Sequence, residues 1–383
     1  MKKLILLIIL LIPFKVFSLT YPELSAKSVV LYDLTDEKIM YEKNPDEKSA
    51  IASLTKTMTV ITAIEEIKDL NEKVTIKQEV LDKVNKEAST SGLKAGDIVT
   101  YEDLLYAVIL PSGADAALSI AYSLYETEAE FVEKMNELAK RIGMKNSQFR
   151  NVHGLDRSGH YSSASDLRIL LEYALKNQTF KKVYTTKEYK LSNGLKVSST
   201  LVISTNEDKE TQYNTNKILG SKTGSTTSAG KCISVLFKYK KHEFLLVTLG
   251  SNPEVSSIIH IKDALEMIDF INKNFNKHLI LKEGTTIKNV KSNNQLITYE
   301  IKIPKDIYLF LPNDYDQNKI TYEYNEIKNK KGTITFFYDN QKIHSEEINL
   351  DTEIQNKNKI MLIPIMVILI SSLIIKYNSI KSH

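Results

Sequence analysis

The chain has 383 residues, 42% hydrophobic and 26% charged, fractions that exclude a wholly disordered, collagen-like or multi-span membrane protein. Its 51 basic residues are interspersed with 47 acidic ones for a net charge of +4, too mild a bias for a nucleic-acid footprint. A single cysteine, Cys232, excludes an internal disulfide and any multi-cysteine metal site.

At the start of the chain, Lys2 and Lys3 precede an apolar run from Leu4 to Phe14 and then Val16-Phe17-Ser18. That order predicts a signal peptide over residues 1–18. An uncleaved N-terminal anchor is the alternative, and on either reading the body of the chain is exported. Residues 26–42 predict a β-hairpin, with apolar runs on either side of the polar turn Thr35-Asp36-Glu37. Ser53 to Ile67 predicts a helix with Leu54, Met58, Ile61 and Ile64 on one stripe. Capping boxes at Thr100/Asp103 and Thr127/Glu130 open two more helices, the second closed by Gly143. Beyond residue 220 the pattern changes to strands, Cys232 to Tyr239 and Phe244 to Leu249, followed by a helix over about residues 254–274. From 280 to 350 apolar residues alternate with period two, as in Ile320, Tyr322 and Tyr324, then Ile334, Phe336 and Tyr338. This predicts a small β-rich domain.

Residues 351–359 form a polar linker to Ile360–Ile375, sixteen residues without a charge, about 24 Å of helix. Lys359 and Lys376 can snorkel to extend it toward the roughly 30 Å of a hydrocarbon core. The expectation is a single-pass anchor over 360–376 in the cell membrane, with the body on the extracellular side.

Three short motifs bear on chemistry. In Ser53-Leu54-Thr55-Lys56, residues i and i+3 share a helix face, so the amine can reach the hydroxyl. A desolvated lysine loses its proton readily and can activate a weak alcohol. Two further S-x-x-K matches, Ser91–Lys94 and Ser228–Lys231, fall in glycine-containing loops and head no helix. Ser112 lies in Pro111-Ser112-Gly113, a break between two helical runs that can hold a hydroxyl in a cleft or be an ordinary turn. Lys222-Thr223-Gly224 precedes the strand at Cys232. There it offers a cation and a hydroxyl suited to a carboxylate, and a glycine where a substrate backbone can approach.

The ordered triple of S-x-x-K, a middle serine and K-T-G is the motif set of penicillin-binding proteins and class A β-lactamases. The stretches Ile51–Thr59, Leu104–Ala117, Asn151–Asp156, His160–Leu167 and Gly220–Cys232 resemble the low-molecular-weight penicillin-binding proteins, serine-type D-alanyl-D-alanine carboxypeptidases. The resemblance implies a β-lactamase/transpeptidase-like α/β serine hydrolase domain over 23–275, with the small β-rich domain and a membrane helix after it. It implies Ser53 as nucleophile, Lys56 as general base and Ser112 as relay. Lys222, Thr223, Gly224 and Ser225 then contact substrate, and the backbone N–H groups of Ser53 and Ser225 form an oxyanion hole. The implied partners are a peptidoglycan stem peptide and β-lactams as covalent inhibitors, with no cofactor and no metal. One position departs from the family pattern: the middle motif usually ends in Asn, where this chain has Ala114.

Three other readings share features with this one. A class A β-lactamase needs a deacylating Glu in an E-x-x-L-N element, and Glu137-Leu138-Ala139 lacks the Asn. An endopeptidase acting on cross-links shares every motif. A non-catalytic cell-wall-binding protein is suggested by Ala114. His153, His160, Asp156 and Asp166 raise a zinc peptidase, against which stands the absence of an H-E-x-x-H pair. Cys232 opens an apolar strand and reads as a buried core thiol.

Overall fold

The computed structural model describes residues 19–202, 214–291, 298–327 and 331–349. The signal peptide, the linker and the C-terminal anchor expected from the sequence lie outside the described residues. Among the described residues no helix is long and apolar enough to cross a membrane. The contacts divide the chain into two units, the second starting, apart from short exchanged segments, at Asn276.

In the first unit the expected hairpin forms as β1 (Ser28–Asp33) and β2 (Lys38–Lys43). One turn of 3-10 helix at Ala52–Leu54 leads directly into α1 (Thr55–Glu66). A small two-stranded ladder joins β3 (Lys73–Thr75) to β4 (Ile98–Thr100), with the short α2 (Gln78–Leu81) between them in sequence. Four longer helices follow: α3 (Tyr101–Ile109), α4 (Ala114–Leu124), α5 (Glu128–Ile142) and α6 (Ala164–Ala174). Both capping boxes read from the sequence are made: Thr100 and Asp103 bond reciprocally ahead of α3, and Thr127 and Glu130 ahead of α5. Each such N-cap is worth about 0.5–2 kcal/mol. Helix α7 (Gln178–Thr185) and a second small ladder, β5 (Glu188–Lys190) with β6 (Lys196–Ser198), complete the helical half.

Strands β7 (Ile218–Thr226), β8 (Gly230–Tyr239) and β9 (His242–Ser251) come next, then α8 (Ile259–Asn274). The five-stranded sheet has the order β2-β1-β9-β8-β7. Strand β1 lies antiparallel to β9 with Val30 opposite Val247. Val30, Tyr32, Leu245 and Val247 face the main core, and the residues between them are buried as well. Both faces of the sheet are therefore covered. Helix α6 packs on β1 and β9, α7 on β7, and α8 on β8 and β9. The sheet built from the N-terminal hairpin and the late strands, flanked by helices, is the one expected.

One expectation is extended and one needs correction. Lys222-Thr223-Gly224 does precede the strand at Cys232, now β8, but itself lies inside a strand that was not expected, β7, an edge strand paired with β8 with Lys222 opposite Ser234. Its polar Ser221, Lys222 and Thr223 are buried, so the usual apolar alternation that marks a strand is missing there. The last helix starts at Ile259 and not near Glu254, because Asn252 and Ser256 cap turns over the intervening residues.

The second unit is built of β10 (Phe275–Leu281), β11 (Thr286–Lys291), β12 (Thr298–Lys302), β13 (Ile307–Pro312), β14 (Ile320–Ile327), β15 (Lys331–Tyr338) and β16 (Gln341–Asn349). Strand β10 pairs with β13, β11 with β12, and β14-β15-β16 form a three-stranded antiparallel sheet. Ile301, Ile303, Leu309, Ile334, Phe336 and Ile348 make its core. The period-two pattern in the sequence arises from these inward-facing residues.

Candidate active site

Helix α1 runs through the interior, and from Ile51 to Ala63 every residue except Ser53 is buried. Ser53 is therefore the point at which this buried segment reaches solvent. One turn on, Lys56 Nζ donates to Ser53 Oγ at 3.0 Å and to the carbonyl of His153 at 2.7 Å. Burial pulls the Lys56 pKa down to about 7, opposed by the negative charge of Asp115. An amine near neutrality at physiological pH can take a proton from the adjacent hydroxyl.

Ser112 enters from the break between α3 and α4. It is buried and sits in the left-handed region at φ 63°, a conformation that costs a non-glycine residue about 1 kcal/mol or more and gathers at functional sites. Lys222, on β7, donates to Ser112 Oγ at 2.9 Å and to its neighbour's carbonyl, that of Thr223, at 2.7 Å. Burial, and then repulsion from Lys56, holds the Lys222 pKa well below the usual lysine range. Thr223 Oγ1 bonds Thr200 Oγ1 at 2.6 Å, and Ser225 is exposed at the end of the strand. Strand β7 packs against the turn that carries Ser53. A Cβ on Gly224 would lie 3.0 Å from the Ser53 nitrogen and from Ala52 Cβ. The close approach that needs this glycine is thus made by the protein's own serine turn.

The fold brings together Ser53 and Lys56 from one helix start, Ser112 from a helix break and Lys222 to Ser225 from an edge strand. The other S-x-x-K matches stand apart in their bonding. Ser91 Oγ donates to Asp115, and Ser228 is exposed, its backbone N–H donating to Asp156. Cys232 is fully buried with its thiol toward the Ala229 carbonyl, and burial pushes its pKa up to about 12.

Several contributors have roles that sequence reasoning did not assign to them. His153 acts on Lys56 through its backbone carbonyl, and its ring accepts from the N–H of Leu155. Asp156 ties the same segment to the β7–β8 turn by accepting from Thr226 Oγ1. Asp115, buried beside the Ser112 break, accepts from the N–H groups of Ser91, Gly92 and Leu93, pinning the loop that borders the site. Spacing within a motif signals none of these, because each joins segments far apart in sequence.

The profile of a family described as D-alanyl-D-alanine carboxypeptidase matches residues 15–252. The chain is 31% identical over 278 residues to D-alanyl-D-alanine carboxypeptidase DacF of Bacillus subtilis, covering 70% of this chain and 67% of that protein. It is 30% identical to DacC of Escherichia coli over 61% of this chain and 58% of the relative. Among solved structures, penicillin binding protein 5 from Haemophilus influenzae superposes with a TM-score of 0.66 at 23% identity, over 86% of this chain and 98% of that one. Penicillin binding protein 6B from Escherichia coli gives 0.63 at 26% identity, over 87% and 97%. Fold and sequence together define a serine-type peptidase with a transpeptidase-like α/β domain and a C-terminal β-sandwich. The chain belongs to the D-alanyl-D-alanine carboxypeptidase family.

Proposed function

We propose that the protein removes the terminal D-alanine from peptidoglycan stem pentapeptides through an acyl-enzyme on Ser53, and that β-lactams acylate the same hydroxyl. The observation that carries this reading is the Ser53–Lys56 pair: a reachable hydroxyl 3.0 Å from a buried amine whose pKa lies near 7. Ser53 Oγ attacks the carbonyl between the two D-alanines as its proton passes to neutral Lys56. The backbone N–H groups of Ser53 and Ser225 receive the oxyanion. The C–N bond then breaks, Ser112 passes a proton to the departing amine, and the Lys222 side chain donates to the terminal carboxylate. Water hydrolyses the ester and regenerates Ser53.

Ala114 favours a second reading, a wall-binding protein without turnover, and magnitudes decide against it. A side-chain hydrogen bond to a charged group is worth about 1.5–3 kcal/mol. Its loss slows a reaction by roughly one to two orders of magnitude and does not erase it. Lys56 meanwhile keeps the His153 carbonyl as a fixed partner. The purified protein lacking residues 1–18 and 360–383 is expected to release free D-alanine from a pentapeptide ending in D-Ala-D-Ala. Release no faster than that of its Lys56→Ala variant hands the function to the binding reading. Release only from cross-linked dimers assigns an endopeptidase.

Anchoring is part of the same proposal. Expression without Ile360–His383 should deliver an active protein to the soluble fraction of the exported proteins, with the full chain in the membrane fraction. A truncated protein that still sediments with membranes places the attachment elsewhere, in an uncleaved N-terminal segment first of all.

A further inference from the structure

The peptide group joining Ala52 to Ser53 has two ends. Its N–H is the proposed oxyanion donor of Ser53, and its C=O is held from inside the protein. Thr55 Oγ1 donates to the Ala52 carbonyl at 2.8 Å, and the same hydroxyl meets His160 Nε2 at 2.8 Å. The backbone N–H of Arg150 donates to His160 Nδ1 at 3.0 Å. Nδ1 is therefore the lone-pair nitrogen of a neutral ring, and Nε2 carries the hydrogen. Burial favours that neutral state, drawing the His160 pKa down to about 4. With one hydrogen per link, the bonds have a single consistent direction: Arg150 N–H to His160, His160 to Thr55, Thr55 to the Ala52 carbonyl.

The chain of bonds ends on a residue that needs holding. Ala52 sits at φ 46°, a region an alanine rarely adopts unless its surroundings impose it. Gly154 closes the far side: a Cβ there would come within 2.0 Å of the Ala52 oxygen and 2.9 Å of Thr55 Oγ1. The imidazole is itself fixed, because antiparallel bridges pair Gln148 with Tyr161 and Ser49 with Ser162, and Phe149 packs edge-on against the ring.

We propose that His160 and Thr55 are positioning residues which, by gripping the Ala52 carbonyl, aim the Ser53 N–H at the oxyanion. In a planar trans peptide the C=O and N–H point in opposite directions. Anchoring the carbonyl inward thus directs the N–H outward, into the site. A hydrogen bond accepted by the carbonyl also polarises the amide and strengthens its N–H as a donor. This inference rests on the reading of Ser53 as nucleophile.

The test compares Thr55→Val, His160→Ala, the double variant and His160→Gln, each checked for folding by thermal melting. The readouts are penicillin acylation, the kcat and KM for D-alanine release, and inhibition by a peptidyl boronic acid, whose tetrahedral adduct places an oxygen on the oxyanion donors. Removing one oxyanion donor outright costs about 10²–10³ in kcat, so a misdirected one should cost about ten- to a hundredfold. Thr55→Val and His160→Ala should lower kcat by that factor with KM within about threefold, and weaken the boronate in parallel. The double variant should match the worse single one, since the residues act in series. His160→Gln, whose amide nitrogen can donate to Thr55, should recover most of the loss. Natural kcat and boronate affinity in folded Thr55→Val would overturn the positioning role, as would additive losses in the double variant. If His160→Ala does not fold, Thr55→Val, which keeps the side-chain shape, decides alone. A natural protein that takes no penicillin overturns the Ser53 reading and this one with it. One that labels at the same rate as Thr55→Val overturns the positioning role only.

Discussion

A purified Ser53→Ala variant is expected to take up no fluorescent penicillin, while Ser228→Ala labels as the natural protein does. The substitution deletes the atom that forms the covalent bond, so the effect is complete and not graded. Ser228 is the clean control, because it is an exposed serine of another S-x-x-K match. Ser91 is a poorer control, since its hydroxyl is one of the groups by which Asp115 holds the loop beside the site. Label persisting on Ser53→Ala would remove the nucleophile assignment and leave the fold without its proposed chemistry.

The second large effect belongs to Lys56. Its replacement by alanine should slow acylation by about 10²–10⁴, the usual contribution of a positioned general base. The pH dependence gives this prediction its sign. The reactive form is the neutral amine, and burial sets the Lys56 pKa at about 7. Acylation by the natural protein should rise about tenfold per pH unit below that value and level off above it. Lys56→Ala should show a slow rate without that inflection. If the variant keeps both the rate and the inflection near pH 7, the titrating group is another residue and Lys56 is not the base.

Much of the site was legible in the sequence because its pieces are local. Ser53 and Lys56 lie one helical turn apart, and the capping boxes that open α3 and α5 are complete within four residues each. The β1–β2 hairpin announces itself by two apolar runs around a polar turn. What could not be read shares one property, that its cause lies elsewhere in the chain. Strand β7 is a strand because β8 pairs with it, while its own Ser221, Lys222 and Thr223 are polar and buried. The little ladders β3–β4 and β5–β6 contain three residues per strand, too few for a period to show. His153 works through a carbonyl, which every residue has. His160 reads as a candidate metal ligand on composition, whereas its ring is committed to Arg150 and Thr55.

The strand order of the sheet has a consequence for how such a chain comes to be active. Strand β1 is made early and pairs with β9, whose first residue follows more than two hundred positions later. Helices α1 to α7 can begin to form from local signals alone, but the N-terminal hairpin has no further strand to pair with until residues 242–251 exist. The same late segment delivers Lys222, through β8 and β7, to the serines of the helical half. Closing loops of that length costs entropy that only the finished sheet repays, so folding of this unit should be slow and concerted. A chain interrupted between residues 57 and 217 would carry Ser53 and Lys56 without the edge strand that brings Lys222 to Ser112. The arrangement therefore makes the meeting of Lys222 with Ser112 contingent on a finished sheet.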